Sequence, residues 1–198
     1  MTVDLRQLRL NLHEFYDFSN KTVLFVGAGG RQLFDTAVKA KKIVAIDQDD
    51  SALKELKARI SACDPPAPVE VIASRFTDVF ASGDVVYFEF CLHEMIDPYK
   101  ALVYARGLSP EIVVFDHLPG SVWSFYAAEE KSVRRSMEAM QRFGIRRHAT
   151  FTIEQQFKNH AELDAKLSSQ GTAAIRRARR FAGATDIVIP MDYQLALL

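Results

Sequence analysis

Short apolar runs alternate with longer amphipathic stretches along the first two thirds of the chain. Each run spans about five residues and ends in glycine or polar residues, which is typical of strands buried on both faces of a parallel sheet. The stretches between them have the apolar spacing of helices that cross from one strand to the next. The alternation predicts an α/β fold with a doubly wound, mostly parallel sheet. The five predicted parallel strands cover residues 23–26, 42–46, 69–73, 85–90 and 112–115.

The last third of the chain departs from this alternation. Residues 173–181 and 186–198 are predicted to form two final strands, joined by the turn 182–184 as an antiparallel hairpin. Before them, residues 119–158 contain Pro119-Gly120, an aromatic cluster around Trp123 and a predicted helix near 129–143. We therefore expect an insertion over about residues 119–158 that covers the substrate.

Three further helices are predicted near the start of the chain. Leu8, Leu12 and neighbouring apolar residues indicate an N-terminal helix within residues 1–18, a second candidate for a substrate cover. Residues 32–40 predict a helix after the first strand, and Ser51 is the expected cap of the next one. All these elements belong to one expected domain over residues 1–198, because this length provides one full core and no more.

Composition excludes some classes of function. The net charge is +0, with 25 basic and 25 acidic residues, so overall charge predicts neither a nucleic-acid partner nor a membrane partner. The distribution is uneven, since residues 131–180 carry 12 Lys and Arg against 4 Asp and Glu. The two cysteines lack metal-site or redox spacing, and neither a secretory leader nor a membrane-length apolar run is present. A cytoplasmic protein without disulfides is expected.

The strongest chemical signal is a glycine turn followed by a carboxylate. Gly27, Gly29 and Gly30 come directly after the first predicted strand, and Asp47 ends the second strand twenty residues after Gly27. Glycines allow a ligand to approach the backbone, and an acid at this distance can accept hydrogen bonds from ribose hydroxyls. Gln32 occupies the third glycine position of the dinucleotide fingerprint, and the chain has no phosphate-loop lysine motif. A nucleoside ligand other than NAD or a nucleoside triphosphate is therefore favoured.

Residues 22–121 resemble the class I S-adenosylmethionine (SAM)-dependent methyltransferase family. The matching segments follow in order: VLFVGAGG at the glycine turn, IVAID at the ribose strand, VEVIASRF at the third strand, DVVYFEFCLHEM at the fourth and EIVVFDH at the fifth. The chain departs from the family pattern at Phe25 and Ser74, where members commonly carry acidic residues. The resemblance implies a Rossmann-like sheet of seven strands with an antiparallel C-terminal hairpin.

The resemblance also implies SAM as methyl donor and a set of cofactor-binding residues. Asp47 would hold the ribose, Ser74 and its neighbours the adenine, and Glu89 the methionine ammonium group. The expected cofactor-binding residues are Gly27, Gly29, Gly30, Asp47, Gln48, Ser74, Arg75, Phe76, Glu89, Phe90 and Tyr16.

Candidate catalytic residues follow the fourth and fifth predicted strands. His93, Asp116 and His117 lie at carboxyl ends, where open α/β sheets bind ligands. An imidazole titrates near neutral pH and can serve as a general base, with Asp116 raising the basicity of His117. The alternative is a purely structural role for each histidine. No paired histidine or cysteine spacing marks a dedicated metal site, so no metal is expected.

These observations favour a methyltransferase acting on a small molecule by in-line methyl transfer, and the basic segment makes an anionic acceptor attractive. A nucleic-acid methyltransferase is the alternative enzyme, although Phe88-Glu89-Phe90-Cys91 replaces the D/N-P-P-[FYW] motif that many such enzymes use. A SAM- or nucleoside-binding protein without catalytic activity is the alternative from another class. A NAD-dependent oxidoreductase is disfavoured by Gln32.

Overall fold

Eight strands form one mixed sheet in the computed structural model, which describes residues 2–29, 33, 39–63 and 65–198. Across the sheet the strand order is β1-β7-β8-β6-β5-β2-β3-β4. The strands are β1 Thr2–Val3, β2 Thr22–Val26, β3 Lys42–Asp47, β4 Val69–Ala73, β5 Val85–Glu89, β6 Glu111–His117, β7 Arg147–Asn159 and β8 Thr185–Leu197.

Strands β2 to β6 pair in parallel and form the centre of the fold. Successive residues of β2 alternate between two apolar cores, with Val23 and Phe25 in one and Leu24 and Val26 in the other. Both faces of this strand are therefore covered by helices, which explains its continuous apolar sequence. The prediction of a doubly wound parallel sheet is confirmed.

The helices lie on both faces of the sheet. Leu12 of the first helix and Leu53 of the second belong to one core, whereas Leu102 and Met140 belong to the other. The helices are α1 Leu5–Phe15, α2 Asp50–Cys63, α3 Pro98–Leu108, α4 Val122–Tyr126, α5 Glu130–Phe143, α6 His160–Leu167 and α7 Thr172–Ala178. None of the helices described is long and apolar enough to cross a membrane.

The antiparallel part of the sheet is built from β7 and β8, and this corrects the predicted hairpin. β8 lies between β6 and β7 and pairs antiparallel with both. Residues 173–181, expected as a strand, instead form α7 and a 3₁₀ turn, because Ala174 and Ala178 share one buried helical face. The antiparallel C-terminal strands of the predicted fold are present, but the first of them starts earlier in the chain.

The segment 119–158, expected as an insertion that covers the substrate, contains two helices and part of the sheet. Helices α4 and α5 fill residues 122–143, whereas β7 begins at Arg147 and belongs to the sheet. Residues beyond Phe151 on β7 and before Tyr193 on β8 continue past the register of His117, the last residue of β6. The two strands therefore project as a ribbon above the carboxyl edge of the sheet, and Trp123 stacks on Phe157 of that ribbon.

One helix was predicted before β3 and another after it, and the two predictions have different outcomes. The cap of α2 is Asp49 and not Ser51, because the Asp49 Oδ1 atom accepts the amide protons of Ser51 and Ala52 at 2.8 and 3.3 Å. Most of the helix expected over residues 32–40 lies outside the described residues, as do Gly30 and Gln32.

Candidate functional site

A cavity of about 480 Å³ opens at the carboxyl edge of the parallel strands. Its volume lies within the usual range for small-molecule sites. Gly27 and Asp47 are among the residues that line it, as are Glu94 and Lys100. The lining residues are Val26, Gly27, Ile46, Asp47, Gln48, Ser74, Arg75, Phe76, Thr77, Cys91, Glu94, Met95, Ile96, Asp97, Lys100 and Ala101. Six of the expected cofactor-binding residues are thus brought to one cavity.

Gly27 is the residue where the first strand turns away from the sheet. Its φ of +82° lies in the left-handed region, which residues other than glycine rarely adopt. A Cβ atom at this position would lie 2.9 Å from Cys91 Cβ and 2.9 Å from the Glu89 carbonyl oxygen. The close approach between the glycine turn and the end of β5 therefore requires glycine for two separate reasons.

Asp47 ends β3 beside this turn, and its carboxylate is already oriented. Its Oδ2 atom accepts the Gly29 amide proton at 3.0 Å, and its Oδ1 atom accepts the Asp49 amide proton at 3.0 Å. A carboxylate offers about four lone-pair directions, so each oxygen retains capacity for a ligand hydroxyl. The two amides fix the carboxylate at the cavity wall in a position where a ribose could bind.

The Ser74–Phe76 segment follows β4 and lies next to Asp47. The Ser74 amide donates to the Asp47 carbonyl oxygen at 2.9 Å, which ties this loop to the end of β3. The Phe76 ring is packed edge-on against Phe88 and Tyr104, with centroid distances of 5.2 and 5.6 Å. The loop is thereby held as a wall of the cavity, and the hydroxyl of the half-buried Ser74 donates to the Arg75 carbonyl oxygen at 3.1 Å.

His93 and Asp116 form the most tightly bonded pair near the site. The His93 Nδ1 atom donates to Asp116 Oδ1 at 2.5 Å, and the His93 amide donates to Asp116 Oδ2 at 3.0 Å. Burial disfavours the charged imidazole, but Asp116 and Glu129 outweigh it and raise the pKa of His93 to about 10. Burial also disfavours the Asp116 carboxylate, yet the neighbouring His93 lowers its pKa overall. His93 is therefore a cation held by Asp116 in this state.

His117 has the opposite electrostatic character. Burial and the nearby His93 cation outweigh the Asp116 charge and lower the pKa of His117 to about 4. Its ring stands 4.8 Å from the Phe90 ring and 5.3 Å from the His93 ring, measured between centroids. Its Nδ1 atom is buried, and none of the residues that the structure describes forms a hydrogen bond with it. His117 is thus neutral near pH 7 and has the character of a proton acceptor.

The expected residues Glu89 and Phe90 connect the cavity with the histidines. Both lie at the end of β5, where Glu89 is 6% exposed. Phe90 has a φ of +47°, an unusual backbone conformation for an aromatic residue, and its amide donates to the Phe115 carbonyl oxygen at 2.7 Å. Such conformations concentrate at functional sites. Neither side chain lines the cavity, so a direct cofactor contact for either remains a prediction.

Tyr16 lies at the other end of the sheet. Its hydroxyl donates to Glu111 Oε2 at 2.5 Å, and Lys21 Nζ donates to the same two oxygen atoms at 2.7 and 2.6 Å. Glu111 is the first residue of β6, whereas the cavity is at the carboxyl ends of the strands. The structure therefore places Tyr16, an expected cofactor-binding residue, away from this cavity, where its hydrogen bond attaches the end of α1 to the sheet.

The Tyr16→Phe variant should be less stable and should bind SAM as the parent protein does. Removing the hydroxyl takes a donor from Glu111 and an acceptor from Lys21, which costs about 1 kcal/mol of unfolding free energy. Urea denaturation measures the first effect and calorimetric titration with SAM the second. A tenfold loss of SAM affinity would indicate instead that Tyr16 contacts the cofactor.

Sequence reasoning did not assign the segment after His93 to the cavity wall. Glu94, Met95, Ile96 and Asp97 all line it, and burial raises the pKa of Glu94. The signal was present, since Glu94 and Met95 are the last two residues of the fourth motif of the resemblance. It was missed because its residues continue no regular apolar pattern.

The basic segment of residues 131–180 supplies none of the residues that line this cavity. Its arginines instead contact the outer layer of the fold. Arg142 lies over the Tyr99 ring at 4.0 Å, Arg147 over the Phe15 ring at 4.3 Å, and Arg177 pairs with Glu130 at 2.8 Å. These three arginines have partners within the fold.

Solved structures that share this fold include proteins described as methyltransferases. A protein from Bacillus halodurans described as a methyltransferase superposes with a TM-score of 0.69 at 15% identity, covering 96% of both chains. The YcgJ protein from Bacillus subtilis gives 0.67 at 12% identity, covering 97% of this chain and 96% of the other. A SAM-dependent methyltransferase from Aquifex aeolicus gives 0.60 at 16% identity, covering 98% and 93%. The chain has this family's fold, as its motifs predicted.

Comparisons at the level of sequence add no closer relationship. No protein-family model matches the chain, and no curated protein matches it.

Proposed function

We propose that this protein is a SAM-dependent methyltransferase that acts on a small molecule. The observation that carries the proposal is the pairing of Gly27 and Asp47 at one cavity of a methyltransferase fold. The cavity is formed at the carboxyl edge, where sheets of this kind bind ligands. The same edge carries the buried histidines, so cofactor-binding and acceptor-handling groups would be neighbours.

The residues present fit an adenosyl ligand. Asp47 retains acceptor capacity for the two ribose hydroxyls, and the half-buried Ser74 lies beside it on the cavity wall. The glycine turn brings backbone to the cavity without side chains in the way. When bound, SAM supplies an electrophilic methyl group on a sulfonium.

The chain's own contribution to methyl transfer would be positioning and proton acceptance. Holding an acceptor in a near-attack pose can lower a barrier by up to about 7–11 kcal/mol in the best cases. Of the two histidines, His117 is the one free to accept a proton near pH 7, since its pKa is lowered to about 4 and its Nδ1 atom has no hydrogen bond to the described residues. Its low pKa makes it a weak base, suited to an acceptor that loses its proton as the new bond forms. Asp116 would act as a positioning residue for His93.

Replacing Asp47 tests the cofactor part of the proposal. Asp47→Ala should weaken SAM binding roughly 100-fold, because two hydrogen bonds to a charged acceptor contribute about 3 kcal/mol together. Isothermal titration calorimetry with SAM measures the change, and NADH serves as a competing candidate ligand. The matched control is Asp50→Ala, which removes an exposed carboxylate three residues away and should leave the affinity within twofold. Equal affinities for the two variants would contradict the proposal.

Turnover distinguishes an enzyme from a binding protein. Incubation with SAM and a cell extract depleted of macromolecules should yield S-adenosylhomocysteine, and the yield should fall with Asp47→Ala. Dependence on the macromolecular fraction would instead favour a nucleic-acid acceptor. Binding of SAM without turnover in any fraction would favour a sensor or scaffold.

A further inference from the structure

Three separate elements bring His93, His117 and Glu129 together above the carboxyl edge of the sheet. His93 follows β5, His117 ends β6, and Glu129 is the residue that precedes α5. β5 and β6 are neighbours in the sheet, with Glu89 paired to Phe115, so the residues that follow them emerge side by side. Glu129 then approaches both rings from the α4–α5 connection.

The side-chain atoms of this cluster lie close to one another. Glu129 Oε2 lies 3.8 Å from His93 Nε2 and 3.8 Å from His117 Nε2. One ligand atom from each of the three residues lies within 4.8 Å of the others. Two ligands about 2.1 Å from one tetrahedral ion would be roughly 3.4 Å apart, so modest side-chain rotations complete the geometry.

Burial and unsatisfied hydrogen-bonding capacity are a second, independent observation. The side chains of His93 and His117 are 3% and 8% exposed, and that of Glu129 is 11% exposed. His93 Nε2, His117 Nδ1 and Glu129 Oε2 are buried, and none has a hydrogen-bond partner among the described residues. Buried polar atoms without partners are rare in native proteins and call for an explanation. A bound ion would satisfy the two that face each other, His93 Nε2 and Glu129 Oε2.

We propose that His93, His117 and Glu129 bind a divalent transition-metal cation of the zinc or iron(II) class. Two imidazoles and one carboxylate form a donor set that these cations prefer over magnesium or calcium. Asp116 provides the outer contact that such sites commonly contain, because it accepts the Nδ1 proton of His93 and directs Nε2 toward the ion. The negative charges of Asp116 and Glu129, which stabilise a proton on His93, would also stabilise a metal cation at the same position.

Three protein ligands leave at least one coordination position open to water or to an acceptor atom. A hydroxyl or thiol bound there would have a lowered pKa and would release its proton to solvent water, since His117, as a metal ligand, would no longer accept it. This last step rests on the proposed methyltransferase function. The metal site itself does not, because it is argued from the cluster alone and can be tested without SAM.

Metal titration of the full chain tests the site directly. After dialysis against a chelator, calorimetry with Zn²⁺ should show one tight equivalent, and Co²⁺ should give the visible absorption of a four- or five-coordinate ion. Mg²⁺ should give no comparable heat. Glu129→Gln and His117→Asn should each weaken Zn²⁺ binding by at least 100-fold, with unchanged far-ultraviolet circular dichroism showing that the variants are folded.

The matched control is His160→Gln, which removes a histidine that has a carboxylate neighbour, Asp164 at 3.5 Å, but no second histidine. Its Zn²⁺ affinity should equal that of the parent. Absence of a tight equivalent in the parent would overturn the proposal, and so would equal affinities for Glu129→Gln and His160→Gln. SAM binding measured in the same metal-free sample reports separately on the proposed function.

Discussion

Asp116→Ala should lower the free energy of unfolding by about 3–5 kcal/mol, the range expected when one partner of a buried charge pair is removed. Asp116 is completely buried and accepts four hydrogen bonds. The donors are the His93 ring and amide, the His117 amide at 2.9 Å and the Ser136 hydroxyl at 3.3 Å. Alanine would leave these donors without an acceptor and would strand the His93 cation. Urea denaturation followed by circular dichroism measures the loss.

Asp84→Ala is the control for this measurement. Asp84 also accepts a backbone amide proton, from Thr22 at 2.7 Å, but at an exposed position. Water can replace that acceptor, so we expect a loss of about 1 kcal/mol. If Asp116→Ala cost no more than Asp84→Ala, the buried network around His93 would not be a principal source of stability.

Gly27→Ala should destabilise the protein by about 2–5 kcal/mol and reduce SAM affinity by at least 100-fold. The left-handed backbone costs an alanine about 1–2 kcal/mol, and the added Cβ meets Cys91 and the Glu89 backbone at 2.9 Å, which adds about 1–3 kcal/mol. The affinity falls because relief of the collision displaces the glycine turn from Asp47. Thermal unfolding and calorimetry measure the two effects.

Gly183→Ala separates backbone strain from the close approach. Gly183 has a φ of +78°, nearly that of Gly27, but nothing lies within 4 Å of a Cβ atom built there. It should lose only about 1–2 kcal/mol and bind SAM normally. Equal losses for the two variants would mean that the contact between the glycine turn and Cys91 contributes nothing measurable.

The central sheet and the cofactor end of the site could be predicted because local patterns encode them. Buried parallel strands require continuous apolar runs, and the turn after β2 requires glycine at Gly27. Asp47, Gln48, Ser74, Arg75 and Phe76 follow their strands directly, so their positions at the cavity were implied once the strands were assigned.

The errors lie where the pattern was present but was interpreted with the wrong period. In β7, Ile153, Gln155 and Phe157 alternate as buried residues with exposed neighbours, but the buried Gln155 interrupts the apolar signal. In α7, Ala174 and Ala178 are four residues apart, which is helical spacing, although adjacent arginines obscure it. β7 packs through Ile153 and Phe157 on either side of a polar residue, and α7 packs through two alanines, so the hydrophobic pattern of each segment is weak.

Tertiary contacts placed the remaining groups. Tyr16 is five residues from Lys21 but 95 from Glu111, and only the fold brings the three together at the amino end of β6. Glu129 approaches His93 and His117 from a connection with no metal-ligand spacing in sequence. Residue order alone reveals neither the position of Tyr16 at the amino edge of the sheet nor the approach of Glu129 to the two histidines.

A structure of the protein with S-adenosylhomocysteine is the most direct measurement of cofactor binding. The adenosyl ribose should lie beside the glycine turn, with both hydroxyls within about 3 Å of the Asp47 carboxylate, as expected for hydrogen bonds to a charged acceptor. The base should lie along the Ser74–Phe76 wall and the homocysteine should point toward Glu94. Binding of the ligand elsewhere, or an empty cavity at saturating concentration, would contradict the assignment of this cavity as the SAM site.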